Sequence, residues 1–170
     1  MRKTAVLFLV FIAFISAALI IQRKTDEDKN SFTAIKENMG RYEYDKGGLG
    51  IAVSRTMTSK AVVHNFGRPI YPADKKLQYV WVYIKVVNSG TTAVQLKPDE
   101  FTLSIPGKAA VNYDYKASNS MQKCLKPINL DPEKENIGVL IFPLPESNAY
   151  TLHYNGPNGK VEKRLVIDSP

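Results

Sequence analysis

Between Leu77 and Val87 the chain alternates as a strand does. Val80, Val82, Ile84 and Val86 hold one set of positions, and Tyr79, Trp81, Tyr83 and Lys85 hold the other. Successive side chains of a strand point to opposite faces. One face is therefore aliphatic, and the other opens with three aromatics that include the chain's single Trp. Alternating or wholly apolar β-rich runs recur on both sides of this stretch and predict strands over 49–56, 60–66, 101–105, 137–142, 149–154 and 160–167. NSGTT at 88–92 is a Gly-containing turn, so 93–96 is expected to fold back on 77–87 as a hairpin. PLPES is read as the end of the 137–142 strand, DPEKEN (131–136) as a polar turn and NGPNG as a tight turn. Residues 110–128 fit either a strand or a crossover. About seven to nine short strands with no long amphipathic helix define an all-β sandwich or small barrel.

The N-terminus follows a different rule. Ala5 to Ile21 is apolar except for Ser16, behind Arg2 and Lys3. Its 17 residues sit on the border between the core of a signal peptide and a spanning helix, which needs roughly 17–25 residues. Residues 1–24 are read as a signal anchor or signal peptide. The anchor would cross the membrane once through 5–21 with the C-terminal domain outside; a cut after Ala18 would release a secreted chain. Residues 25–46 are polar and read as a stalk, and 47–170 as the globular domain. GGLG at 47–50 is read as a flexible lead-in to the first strand, since no Lys-Ser or Lys-Thr follows it as a phosphate loop requires.

Composition narrows the function classes. The formal charge of the 170 residues is +7, but Arg2, Lys3, Arg23 and Lys24 flank the apolar run and leave +3 for the rest. With no basic block, nucleic acid is not an expected partner. One cysteine, Cys124, permits no internal disulfide, and it reads as a small buried side chain. The two histidines, His64 and His153, fall in predicted strands without HExxH, HxH or CxxC spacing. No metal, cofactor or catalytic residue is assigned. Asp99 and Glu100 are adjacent, so on a strand they face opposite ways and do not form a glycosidase pair.

The order of several residues resembles a known pattern. Asn88, Gly90, Pro98, Phe101 and Gly107 follow the long strand, and Pro132, Gly138, Phe142 and Pro145 recur around the second apolar strand. Over about 50–154 the chain resembles an immunoglobulin-like family of unknown function. Its members lie behind signal or lipoprotein sequences in Gram-positive bacteria and are sometimes mislabelled as telomeric repeat-binding factors. The resemblance implies a sandwich, export and binding work at the envelope, and brings no catalytic residues with it. DPEKEN replaces the family's usual Pro-Gly-Glu turn, and the lipoprotein cysteine is missing.

These residues also have physical readings. Asn88 and Gly90 suit a left-handed turn. Gly138 suits a close backbone approach. Phe101 and Phe142 suit plugs between sheets. The leading expectation is a non-enzymatic extracytoplasmic domain that binds a protein or cell-wall partner, with sheet-edge pairing as one mechanism. The alternative is a carbohydrate- or small-ligand-binding module using Tyr79, Trp81, Tyr83, Tyr113 and Tyr115 as exposed aromatics. A hydrolase with a dispersed site stands third. Trp81 is expected to be covered, with Tyr79 and Tyr83 more exposed.

Overall fold

The computed structural model describes residues 40–63 and 67–166. The expected signal segment 1–24, its membrane span 5–21, the Ala18 site, most of the stalk and His64 lie outside the described residues. Along the chain come β1 (Glu43–Tyr44), β2 (Leu49–Ser59), β3 (Gln78–Asn88), β4 (Val94–Leu96), a 3-10 turn (Pro98–Glu100), β5 (Phe101–Ser104), β6 (Val111–Asn112), α1 (Tyr115–Asn119), β7 (Ile128–Leu130), β8 (Glu135–Leu144), β9 (Ala149–Gly156) and β10 (Gly159–Val166).

All named strand pairs are antiparallel. One sheet has the order β1-β2-β3-β8, a second has β10-β9-β5-β6, and β4 pairs with β7. The aliphatic positions of β3 face the second sheet. Val80, Val82, Ile84 and Val86 share one buried core with Leu140 and Phe142 of β8, Phe101 and Leu103 of β5, Leu152 and Tyr154 of β9, and Val161 and Leu165 of β10. Two sheets closed over a common apolar layer make a sandwich. Phe101 and Phe142 are completely buried in that layer, as plugs between sheets should be.

Several expected elements differ. Residues 60–63 contribute only an isolated bridge, Val62 with Ile70. Residues 93–96 do not fold back on β3, because β2 and β8 already occupy both edges of β3. Asn88 redirects the chain instead. Its Nδ2 donates to Thr92 O and Leu130 O, both at 2.8 Å, which holds β4 beside β7. The polar turn at 131–136 is shorter than expected, since Glu135 and Asn136 already pair in β8. Pro143 does not end β8, which runs to Leu144. β8 is an edge strand, where a residue without an N–H is tolerated. The domain begins before residue 47, because Glu43 and Tyr44 pair with Ile51 and Gly50.

Of three glycine readings, two change and one holds. Among the described residues the only non-glycine with positive φ is Glu133, so neither Asn88 nor Gly90 adopts the expected left-handed backbone. Gly90 is small for another reason: a Cβ there would collide with Gly47 O. GGLG is correspondingly not a loose lead-in. Asp45 Oδ1 accepts from Gly47 N and Leu49 N, each at 2.8 Å, and Ser89 N donates to Gly48 O at 2.9 Å. Gly138 does serve a close approach, since a Cβ there would lie 2.6 Å from Leu125 N and Cα.

Candidate functional site

The aromatic row of β3 lies on the outer face of the first sheet. That face is roofed by the chain itself. Tyr79, Trp81, Val139 and Ile141 form a second buried cluster with Val62 and Ala117, flanked by Met57, Ile70, Tyr83 and Met121. Trp81 is 8% exposed, and its Nε1 donates to Ser59 Oγ at 2.8 Å. Tyr79 is 0% exposed, which corrects the expectation that it sees more solvent than Trp81. Its hydroxyl donates to Asp114 Oδ2 at 2.9 Å, while Asp114 Oδ1 accepts from Ala117 N and caps α1. Burial and that hydrogen bond push the Tyr79 hydroxyl above its ordinary pKa. Tyr83 and Tyr113 are half-buried, and only Tyr115 of the five candidates is exposed. The five therefore form no common exposed platform.

The roof also seals one sheet edge. Along β8, Asp114 N donates to Ile141 O and Ile141 N donates to Ser118 Oγ. Leu125 N donates to Val139 O and Val139 N donates to Lys123 O. The Cys124 thiol is buried there, with Asn119 Oδ1 3.1 Å from its sulfur, and burial raises its pKa.

The opposite edge is built differently. β10 has β9 as its only strand neighbour among the described residues. The β9–β10 hairpin closes with Gly156 opposite Gly159. Across a two-residue turn that closing pair is hydrogen-bonded and the pairs then alternate. The backbone groups of Val161, Lys163 and Leu165 thus serve β9, while those of Lys160, Glu162, Arg164 and Val166 point outward. A cleft beside this rim is lined by Val53 to Thr56 of β2 and by Lys163, Arg164 and Leu165. β2 carries an irregularity here, between Val53 and Arg55 in its register with β3. Lys163 lies on the face of β10 shared with buried Val161 and Leu165, and its Nζ donates to Arg41 O.

One further arrangement escaped the sequence reading. On the second sheet Ser104 Oγ lies 2.8 Å from His153 Nε2, and His153 Nδ1 lies 3.3 Å from Glu162 Oε1. This is the connectivity of nucleophile, base and orienting carboxylate. The Glu162 side chain is 67% exposed, so its charge acts through solvent and holds the imidazole weakly. The pairing could be found only from register, because His153 sits directly opposite Glu162 and diagonal to Ser104. Among the described residues no three His, Cys, Asp or Glu side chains gather as metal ligands would.

Residues 43–164 match the family described as Domain of unknown function (DUF4352), and the chain belongs to it. None of the curated proteins compared with the chain matches it. Solved structures share the fold. The yjhA protein from Bacillus subtilis superposes with a TM-score of 0.56 at 17% identity, over 76% of this chain and 98% of that one. A candidate lipoprotein (ycdA) from Bacillus subtilis subsp. subtilis str. 168 gives 0.53 at 14% identity, over 74% of this chain but only 38% of that one. A conserved hypothetical protein from Bacillus anthracis gives 0.51 at 14% identity, over 77% and 98%.

Proposed function

We propose that this is a non-enzymatic, extracytoplasmic immunoglobulin-like domain that binds a protein of the cell envelope along strand β10. The contrast between the two long sheet edges carries the reading. The β8 rim is plugged by residues 114–125, whereas the outward groups of β10 meet no backbone partner among the described residues. Unpaired strand edges invite pairing with another chain, and natural proteins usually cover or blunt them.

The immunoglobulin-like assignment draws on strand order and on one side chain. β2-β3-β8 and β5-β9-β10 follow the orders A-B-E and C-F-G of that fold. Tyr150, at the start of β9, donates its hydroxyl hydrogen to Pro145 O at 3.1 Å and accepts from Ser147 N at 3.0 Å. These bonds resemble a tyrosine corner and support reading β9 as strand F. Export is supported by the apolar run 5–21 behind Arg2 and Lys3, and by the lipoprotein description of one structural relative. The reading of a Gram-positive origin is supported by the sequence resemblance and by the Bacillus source of three structural relatives.

The test is affinity capture from solubilised Gram-positive envelope with the full-length chain as bait. Recovery of one protein in stoichiometric amount is the expected result. Retention on purified cell wall with no protein captured would contradict it.

A further inference from the structure

The β10 edge carries a charge signature that narrows the class of partner. Lys163 occupies an inward position between Val161 and Leu165, both buried. An inward charge on an edge strand opposes casual pairing, because an added strand must face it with something that neutralises it. Arg164 lines the same cleft as Lys163, so two cations of β10 border the space that an added strand would enter. Glu162 is the one acid between Lys160 and Val166.

A second copy of this chain is a poor occupant. Antiparallel self-pairing centred on Lys163 sets two inward lysines opposite each other. Centring on Glu162 sets the two glutamates together and Lys160 against Arg164. Like charges directly opposite are destabilising. Centring on Val161 avoids both clashes but overlaps mainly the hairpin turn. A phosphate-bearing ligand would satisfy the cations, yet it would leave the outward N–H and C=O groups of Lys160, Glu162, Arg164 and Val166 without partners. An extended polypeptide satisfies both.

We propose that β10 and its cleft receive an extended acidic segment of a partner polypeptide, which pairs along Lys160–Val166 and sets a carboxylate beside Lys163. This rests on the reading of the domain as an edge-binding module. Backbone bonds supply the pairing, and Lys163 with Arg164 selects acidic over basic side chains.

The test uses the full-length chain in detergent micelles with blocked octapeptides of alternating threonine and glutamate, or threonine and lysine. Hydrogen exchange followed by mass spectrometry reads residues 159–166. The glutamate peptide is expected to slow exchange there and to bind about fivefold more tightly than the lysine peptide, the scale of a partly shielded ion pair. Lys163→Glu should reverse that preference while unfolding within a few degrees of the parent. Arg164→Glu, at an exposed position, should weaken it and serves if Lys163→Glu does not fold. Equal protection by both peptides would overturn the acidic partner and leave edge binding intact. Protection by inorganic phosphate or phosphatidylglycerol vesicles but by neither peptide would reassign the cleft to phosphate and overturn the proposal. No protection by any probe, with envelope capture still yielding a protein, would overturn the proposal and leave the binding-module reading standing.

Discussion

Replacing Asn88 with alanine removes the clamp that routes the chain from the first sheet into the β4–β7 pair. Asn88 is completely buried at the end of β3. Its side chain makes three bonds, two from Nδ2 to Thr92 O and Leu130 O and one accepted at Oδ1 from Gly90 N at 3.0 Å. Truncation leaves three backbone groups to find new partners. The bond to Leu130 O is fully buried, and losing the partner of a buried acceptor costs ~1–3 kcal/mol. The other two are partly buried and contribute about 0.5–1.5 kcal/mol each. The expected loss is therefore about 2–6 kcal/mol, centred near 4, a large share of a typical stability of roughly 5–15 kcal/mol. For a domain of this size it lowers the melting temperature by about 10–15 °C. Urea and thermal unfolding followed by the fluorescence of Trp81 measure both quantities. Asn88→Asp is the companion variant. It keeps an acceptor for Gly90 N but sets a second acceptor against two carbonyls. It should be at least as destabilised as Asn88→Ala at neutral pH, with the gap narrowing in acid as the carboxyl regains a donor. A loss below about 1 kcal/mol for Asn88→Ala, or wild-type stability for Asn88→Asp at pH 7, would refute the clamp.

Gly138→Ala should destabilise by about 1–3 kcal/mol, because its Cβ would lie 2.6 Å from backbone atoms of Leu125; an unchanged urea midpoint would show that the roof can shift freely. Burial raises the hydroxyl pKa of Tyr79, Tyr83, Tyr113 and Tyr154, with Tyr113 pushed up to about 12. The unfolded chain ionises these groups near pH 10 and the folded chain does not, so stability should hold below about pH 10 and fall as pH rises toward 12; a flat profile there, read by urea midpoint, would contradict the burial. A fluorophosphonate probe should leave Ser104 unlabelled, since the Glu162 carboxylate is solvated; stoichiometric labelling lost in His153→Ala would make the trio a working nucleophile.

Much of the sandwich was legible because period-two alternation is a direct image of burial. β5, β9 and β10 show it, as does the inward face of β3, and their buried sets share one core; β8 is instead a continuous apolar run buried on both faces. The failures lie where tertiary contacts decide. Nothing local distinguishes a hairpin at 93–96 from a strand sent elsewhere; the buried side chain of Asn88 and the occupied edges of β3 settle it. Tyr79 was misplaced because alternation says which residues share a face and not what covers that face. The cover comes from Val62, Ile70 and α1, in segments with weak periodicity.

The candidate site was less legible still. An open edge is defined by the absence of a neighbouring strand, which a sequence barely records. Lys163 interrupts the alternation of Val161 and Leu165, which was the one sequence signal of an edge. The Ser104–His153–Glu162 contact needed strand register, which the sequence does not carry.

Glu162→Pro tests the edge most directly. The residue-162 amide points away from β9, so proline there removes an outward donor while sparing the ladder. Envelope capture with the full-length variant, at a melting temperature close to the parent's, should lose the stoichiometric partner at least tenfold. Capture equal to that of the parent would contradict binding along β10.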